Sequence, residues 1–222
     1  GAEVTKQLDG GLKGWAAKVP FKRIASEAKP AAGGTELIQT PDKANATYVA
    51  GITMPISDTD PDYAALVVGN YAFGAAPLAS RLSNRVRGKD GLSYGIGSMV
   101  QASPIDKVGR VMVIAMANPT NMPKVDAAIA EEWGKFLKDG LSADELEGAK
   151  KAYVQSRQVQ RANDGGLAST LANDLYTGRT MAFTAEFEKK IETIQPGDVQ
   201  KAFTKHVDPK KLVIVQAGDF KK

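Results

Sequence analysis

Residues 92–117 read LSYGIGSMVQASPIDKVGRVMVIAMA, and they decide the fold. The first part, Leu92 to Ala102, alternates and puts Leu92, Tyr94, Ile96, Ser98 and Val100 on one face, as a strand does. The second part, Arg110 to Ala117, is apolar on both faces. That pattern predicts a central strand, with Val111, Val113, Ile114 and Ala115 buried on both sides. The separator SPIDKVG suits a hairpin loop, so the two strands should run antiparallel.

Upstream, Glu36 to Thr40 and Thr47 to Met54 read as two more strands around a PDKAN turn. Asp60-Pro61-Asp62 supplies a capping carboxylate, a proline for the first helical position and a second acid near the positive end of the dipole. The helix it opens should run to about Phe73 and stop at Gly74. A second helix is expected from Pro77 to Val86 or Arg87, with Leu78, Leu82 and Val86 as its buried stripe. Before the first strand stand a short helix at 4–15 and an extended Pro/Gly/Ala/Lys-rich linker at 18–35.

Downstream the chain is helical. Residues 120–138 carry Val125, Ile129, Trp133 and Phe136 on one stripe. Ser142-Ala143-Asp144-Glu145 is a capping box opening a long helix to about Asn163, broken at Gly165-Gly166. Helices follow at 167–177, 184–193 and 196–205, and a strand at Lys211 to Gln216 comes last. The order predicts an α+β fold: a two-layer sandwich with helices on one face of a mostly antiparallel sheet. Residues 1–35 are assigned to the short helix and linker, and 36–222 to the domain.

Composition narrows the chemistry. The 29 basic and 25 acidic residues are mostly interleaved, for a net charge of +4, without the basic stripe and neighbouring aromatics of a nucleic-acid surface. There is no cysteine, which excludes disulfides, thiolate nucleophiles and cysteine-based metal sites. The single histidine, His206, cannot by itself build a catalytic zinc site, which needs three or four His, Cys or carboxylate ligands. Its polar Lys-His-Val-Asp-Pro setting reads as a frayed helix end, where a cation suits the dipole. The longest clean apolar run, Val111 to Ala117, falls far short of the about 20 residues that span a bilayer. The N-terminus has no signal-peptide architecture and starts as if inside a helix, which suggests a piece of something longer.

GIGS at 95–98 is not a phosphate loop: it lacks the lysine pattern and precedes a strand. Its glycines would let another backbone approach closely. Asp144, Glu145 and Glu147 open a helix and suit its dipole, with Lys150 and Lys151 at ion-pairing distance along its surface. Arg87 and Tyr94, across the turn in RVRGKDGLSYGIGS (85–98), are the remaining candidates. On the residues alone two readings stand. Arg87 sits at the negative end of a helix dipole while Tyr94 fills a half-buried strand position. Alternatively, both point at one bound group, with the guanidinium anchoring a carbonyl or carboxylate and the phenol donating to a developing oxyanion.

SRLSNRVRGKDGLSYGIGS (80–98) resembles the S-R-L-x-x-x-[IV]-R-x-x-x-G-L-[AS]-Y-x-[IV]-x-S signature in the C-terminal domains of the pitrilysin/insulinase family of zinc metallopeptidases. PDKANATYVAGITMP (41–55) resembles the first strand of that domain. LSADELEGAKKAYVQS (141–156) resembles its G-[IL]-[ST]-x-x-E-L-x-x-A-K helix, and IQPGDVQKAFTKHVDPKKLVIVQAGDF (194–220) its closing helix-strand unit. The match runs from about residue 36 to the end. The resemblance implies repeated α+β domains around a chamber, with zinc held in a separate N-terminal domain by an H-x-x-E-H helix and a distal glutamate. This chain has no such motif, so it is expected to be the non-zinc domain, inactive alone, binding neither metal nor cofactor.

The resemblance further implies that Arg87 and Tyr94 face the chamber and bind substrate or stabilise the transition state. It implies a substrate-binding, chamber-closing domain of a zinc endopeptidase. The expected partners are zinc-bearing N-terminal domains of the same polypeptide or of a partner subunit, and a peptide substrate, with no nucleic acid and no membrane. The alternative is a non-catalytic scaffold or binding subunit. The terminal KLVIVQAGDFKK resembles the end of long single-chain bacterial members, which would make this the last of four domains; the second domain of a shorter subunit is the alternative. The location implied is periplasmic or secreted, with cytoplasmic as the alternative.

Overall fold

The hairpin forms in the register that alternation requires. In the computed structural model, which describes residues 1–93 and 95–221, β3 (Gly95–Ala102) pairs antiparallel with β4 (Gly109–Ala117), Ser98 opposite Val113 and Gly97 opposite Ile114. With β1 (Gly34–Gln39), β2 (Ala46–Met54) and β5 (Val213–Gly218) they make one sheet in the order β1-β5-β2-β4-β3. Only the β1–β5 pair is parallel. Tyr94 and Lys222 lie outside the described residues.

Period-two alternation sends Tyr48, Ala50, Val111, Val113 and Ala115 to one face, where each is at most 1% exposed. The helices cover that face: α2 (Tyr63–Asn70), α3 (Met122–Asp139), α4 (Ala143–Arg161), α6 (Met181–Thr193) and α7 (Pro196–His206). α5 (Asp164–Thr177) packs on α4 and buries none of its residues. Phe73, Trp133, Phe136 and Phe203 form the aromatic nucleus, with ring centroids 4.0 Å apart for Phe73–Trp133 and 4.9 Å for Phe136–Phe203. Tyr48 reaches through the core and donates to Asp126 Oδ1 at 2.9 Å, and burial pushes its phenol pKa well up. This is the α+β class, with helices on one face of a mostly antiparallel sheet.

Several expectations need correction. β4 is internal by pairing, but its second face is not covered. Ile114 and Met112 are only half-buried and Met116 is 56% exposed. An antiparallel sheet needs one covered face only, so an apolar run does not guarantee two.

The stretch from Tyr71 to Lys89 is not regular α-helix, and residues 77–79 form a turn. Tyr71–Ala75 and Ser83–Lys89 are wound wide, with the amides of Ala76 and Asp90 bonding back five residues to Tyr71 and Arg85 at 3.1 Å. Leu82 and Val86 are fully buried, whereas Leu78, four before Leu82, is 68% exposed.

The close approach expected at GIGS is made instead by Gly74. A side chain on Gly74 would lie 2.3 Å from Ser98 Oγ, while one on Gly97 would meet only ordinary contact at 3.5 Å. The Gly165-Gly166 pair does not separate two helices either. The break falls at Asn163, whose side chain caps α5 by accepting from the Gly166 amide at 3.0 Å.

No helix among the described residues is long and apolar enough to cross a membrane.

Candidate functional site

The segment 80–98 is built like a wedge. Ser80, Leu82, Ser83, Val86 and Ser93 are buried. The Asn70 and Ser98 side chains meet at 2.6 Å beneath the wide turn, Ser98 Oγ donating to Asn70 Oδ1. Three arginines project from it, and two of them are used within the domain.

Arg81 grips the start of α4. Its Nε and Nη2 donate to Glu145 Oε1 and Oε2 at 2.7 and 2.9 Å, Nη2 also donates to the Gly140 carbonyl at 2.8 Å, and the guanidinium lies 5.5 Å from the Phe136 ring centre. Glu145 completes the capping box by accepting from the Ser142 amide at 2.9 Å. The Arg81 guanidinium holds the Glu145 carboxyl down at about 2.

Arg85 is bound by Asp90 and by Glu131, the latter at 2.9 Å, with Glu132 at 3.9 Å. Arg85 and Glu132 line a charged groove of about 460 Å³ with Arg81, Asn84, Lys89 and Lys135. Arg87 is the exception. It stands on the wide turn Ser83–Lys89, exposed, and makes no ion pair or hydrogen bond among the described residues. Its expected companion, Tyr94, is outside the described residues, so the juxtaposition of the two is not part of the geometry.

Other sites read from sequence resolve as structural. Lys150 is buried rather than on the surface, and its ammonium donates to Glu147 at 2.8 Å and to the Glu192 carbonyl at 3.0 Å. Glu145 pairs with Arg81 and not with a lysine along its helix.

His206 is not a frayed end. Its side chain is 8% exposed and its Nε2 lies 2.8 Å from Asp62 Oδ2, on which Lys205 also converges at 2.6 Å. Lys205, as the largest cause, lowers the Asp62 carboxyl pKa. Asp60 is close by and caps the Asp62 amide at 2.9 Å, so these three form the one cluster of metal-ligand type among the described residues. The cluster does not fit a zinc ion, because the Lys205 ammonium already occupies the Asp62 oxygen a cation would need. Asp62 and His206 are 144 positions apart, and no spacing in the sequence signals their meeting.

Residues 2–153 match the family described as the peptidase M16 inactive domain. The chain belongs to the M16 family. It is a C-terminal, non-catalytic domain of this peptidase family, in agreement with the resemblance to zinc metallopeptidases read from segment 80–98. α5, α6, α7 and β5 lie beyond the matched stretch.

The M16 fold recurs in solved structures. A peptidase M16 inactive domain from Pseudomonas fluorescens is similar with a TM-score of 0.78 and 23% identity, over 90% of this chain and 47% of that one. A protease from Helicobacter pylori gives a TM-score of 0.81 at 13% identity, over 97% of this chain and 52% of that one. The periplasmic protease PqqL from Escherichia coli gives 0.63 at 19%, over 96% of this chain and 24% of that one. The likeness to these three is one of fold. The chain spans about half the length of the first two. No curated protein matches the chain.

Proposed function

We propose that this M16 domain is the substrate-contacting, chamber-closing part of a zinc-dependent endopeptidase, with the zinc held by a partner domain outside this chain. The observation that carries the reading is the unequal use of the arginines in segment 80–98. Arg81 and Arg85 are consumed by carboxylates of their own domain, whereas Arg87, next to the fully buried Val86 and five residues after the fully buried Leu82, is held out on the wide turn with no partner among the described residues. A planar fork of donors so placed suits a peptide carbonyl or carboxylate. Tyr94, in the same signature, supplies the phenol that would donate to the developing oxyanion. A periplasmic or secreted setting belongs to the same proposal, since one similar structure is described as a periplasmic protease.

The test is made on the full-length parent, measuring zinc content and peptide cleavage together. One zinc per parent chain or per partnered pair, with cleavage abolished by chelator, is the expected result. A parent that binds peptides but holds no zinc and cleaves nothing would make this domain part of a scaffold instead.

A further inference from the structure

β1 is an edge of the sheet that carries none of the usual protections. It pairs on one side only, with β5. Five of its six residues are exposed, among them Leu37 at 64% and Ile38 at 43%. Natural edge strands are blunted by proline, lysine, a bulge or a covering element. GTELIQ has no proline and no lysine, and its register with β5 runs unbroken from Gly34 to Gln39.

The bonds to β5 fix which backbone groups are left over. The Gly34 amide donates to the Leu212 carbonyl at 3.1 Å, and just past the strand the Thr40 amide donates to the Gly218 carbonyl at 2.8 Å. The even-numbered residues therefore turn their N–H and C=O groups toward β5. Those of Thr35, Leu37 and Gln39 point out of the sheet edge, two residues apart. A second strand laid along this edge would satisfy all of them at once.

The side chains alternate with the same period. Leu37 stands beside Gln216, which in turn stands beside the buried Tyr48. Thr35, Leu37 and Gln39 therefore lie on the helical side of the sheet, and Glu36 and Ile38 on the open side.

These constraints select one way for the strand to pair with itself. An antiparallel twofold must set outward-pointing residues against outward-pointing residues, so that each pair exchanges two bonds. Centring it on Glu36 would bring two like charges face to face. Centring it on Ile38 would set Thr35 against the partner's Pro41, which has no N–H to donate. Centring it on Leu37 sets Leu37 opposite the partner's Leu37 and Thr35 opposite the partner's Gln39, and uses every outward group. It also places Glu36 opposite the partner's Ile38. Opposite residues share a face, so the axis stands perpendicular to the sheet and both helical layers lie on the same side.

We propose that β1 is a homodimer interface: two copies join edge to edge, antiparallel and centred on Leu37, making two five-stranded sheets into one. The occupant of the edge is a second copy of this chain, because the strand complements itself in backbone polarity, facing and charge. The contact runs along one short strand, so the dimer forms and dissociates with concentration.

The chain has no cysteine, so single-cysteine variants of the full chain report the register directly. Leu37→Cys puts the two thiols opposite each other. Thr35→Cys leaves them four residues apart, about 14 Å along the strands. Leu78→Cys is a control of matched exposure, since Leu78 is 68% exposed and lies away from the edge. Under mild oxidation, Leu37→Cys should give the covalent dimer at least about tenfold faster than either of the others, because only its thiols are held at high effective concentration. Equal rates would overturn the proposal.

Sedimentation of the unmodified chain reads the same contact without a new bond. The average mass should rise with concentration toward that of two chains. Leu37→Pro removes an outward donor and no bond to β5, a place where an edge strand accepts proline. Leu37→Lys sets like charges opposite each other across the axis. Both variants should stay monomeric with an unchanged melting temperature. A wild-type chain that stays monomeric, or association that survives both variants, would contradict the assignment of the interface to β1.

Discussion

Arg81 and Glu145, 64 positions apart, share a two-pronged ion pair that ties segment 80–98 to the first turn of α4. The pair fixes the wide turn on which Arg87 stands. Arg81→Ala removes these charged bonds and the one to the Gly140 carbonyl, and should cost about 1.5–3 kcal/mol of stability in denaturant titration. Arg81→Lys should restore only part of it, because an ammonium cannot engage both carboxylate oxygens in the same plane. Wild-type stability in Arg81→Ala would mean that the pair does not hold the turn.

The same pair predicts an acid limb. The folded Glu145 carboxyl titrates at about 2, below the ordinary glutamate value of 4.5. A depressed carboxylate contributes stability that is fully present above the unfolded value and is lost as pH falls through the folded one. The difference in stability between wild type and Glu145→Gln should therefore be constant near neutrality and shrink as pH drops from about 5 to about 2. A difference that does not vary across this window would contradict the assignment.

Leu82 and Leu78 separate the wide-turn geometry from a regular helix. Leu82 is fully buried and Leu78 is 68% exposed. Leu82→Ala should cost ~2–5 kcal/mol as a cavity mutation, and Leu78→Ala no more than about half a kcal/mol. Equal losses would restore the continuous α-helical stripe read from the sequence.

The purified chain alone should not cleave peptides and should not hold stoichiometric zinc. Its one cluster of metal-ligand type among the described residues is satisfied by Lys205. One zinc per chain, with an activity lost to chelator, would contradict this.

What the sequence made legible was local. The antiparallel pairing of β3 with β4, the Ser142–Glu145 capping box and the stripe Val125, Ile129, Trp133, Phe136 are each set by neighbours close in the sequence, and they form as read. What stayed hidden depends on distant partners. A 3.6-residue period assumes one continuous helix, whereas residues 77–79 form a turn and the helical winding starts only at Arg81, so Leu78 falls outside the stripe. The apolar second face of β4 looked like a core because composition does not say on which side the helices lie. Glu145 could be recognised as a cap but not as the partner of Arg81, and His206 as a helix end but not as the neighbour of Asp62. For the candidate site, the segment was legible and the separate tasks of its three arginines were not, since those tasks are set by α3 and α4.

Tyr94→Phe in the parent enzyme separates the phenol from its ring. If the hydroxyl donates to the oxyanion, turnover should fall by up to ~10²–10³ with the melting temperature unchanged. Normal turnover with a lowered melting temperature would assign Tyr94 to packing.

The most direct test is kcat/KM for peptide cleavage by the zinc-bearing parent carrying Arg87→Ala, measured beside its melting temperature. Arg87 is exposed and makes no ion pair or hydrogen bond among the described residues, so the melting temperature should stay put. Loss of a charged hydrogen bond to substrate, about 1.5–3 kcal/mol, should lower kcat/KM by roughly ten- to a hundredfold, mainly through KM. Unchanged cleavage by Arg87→Ala would contradict the claim that this domain contacts the substrate through that residue.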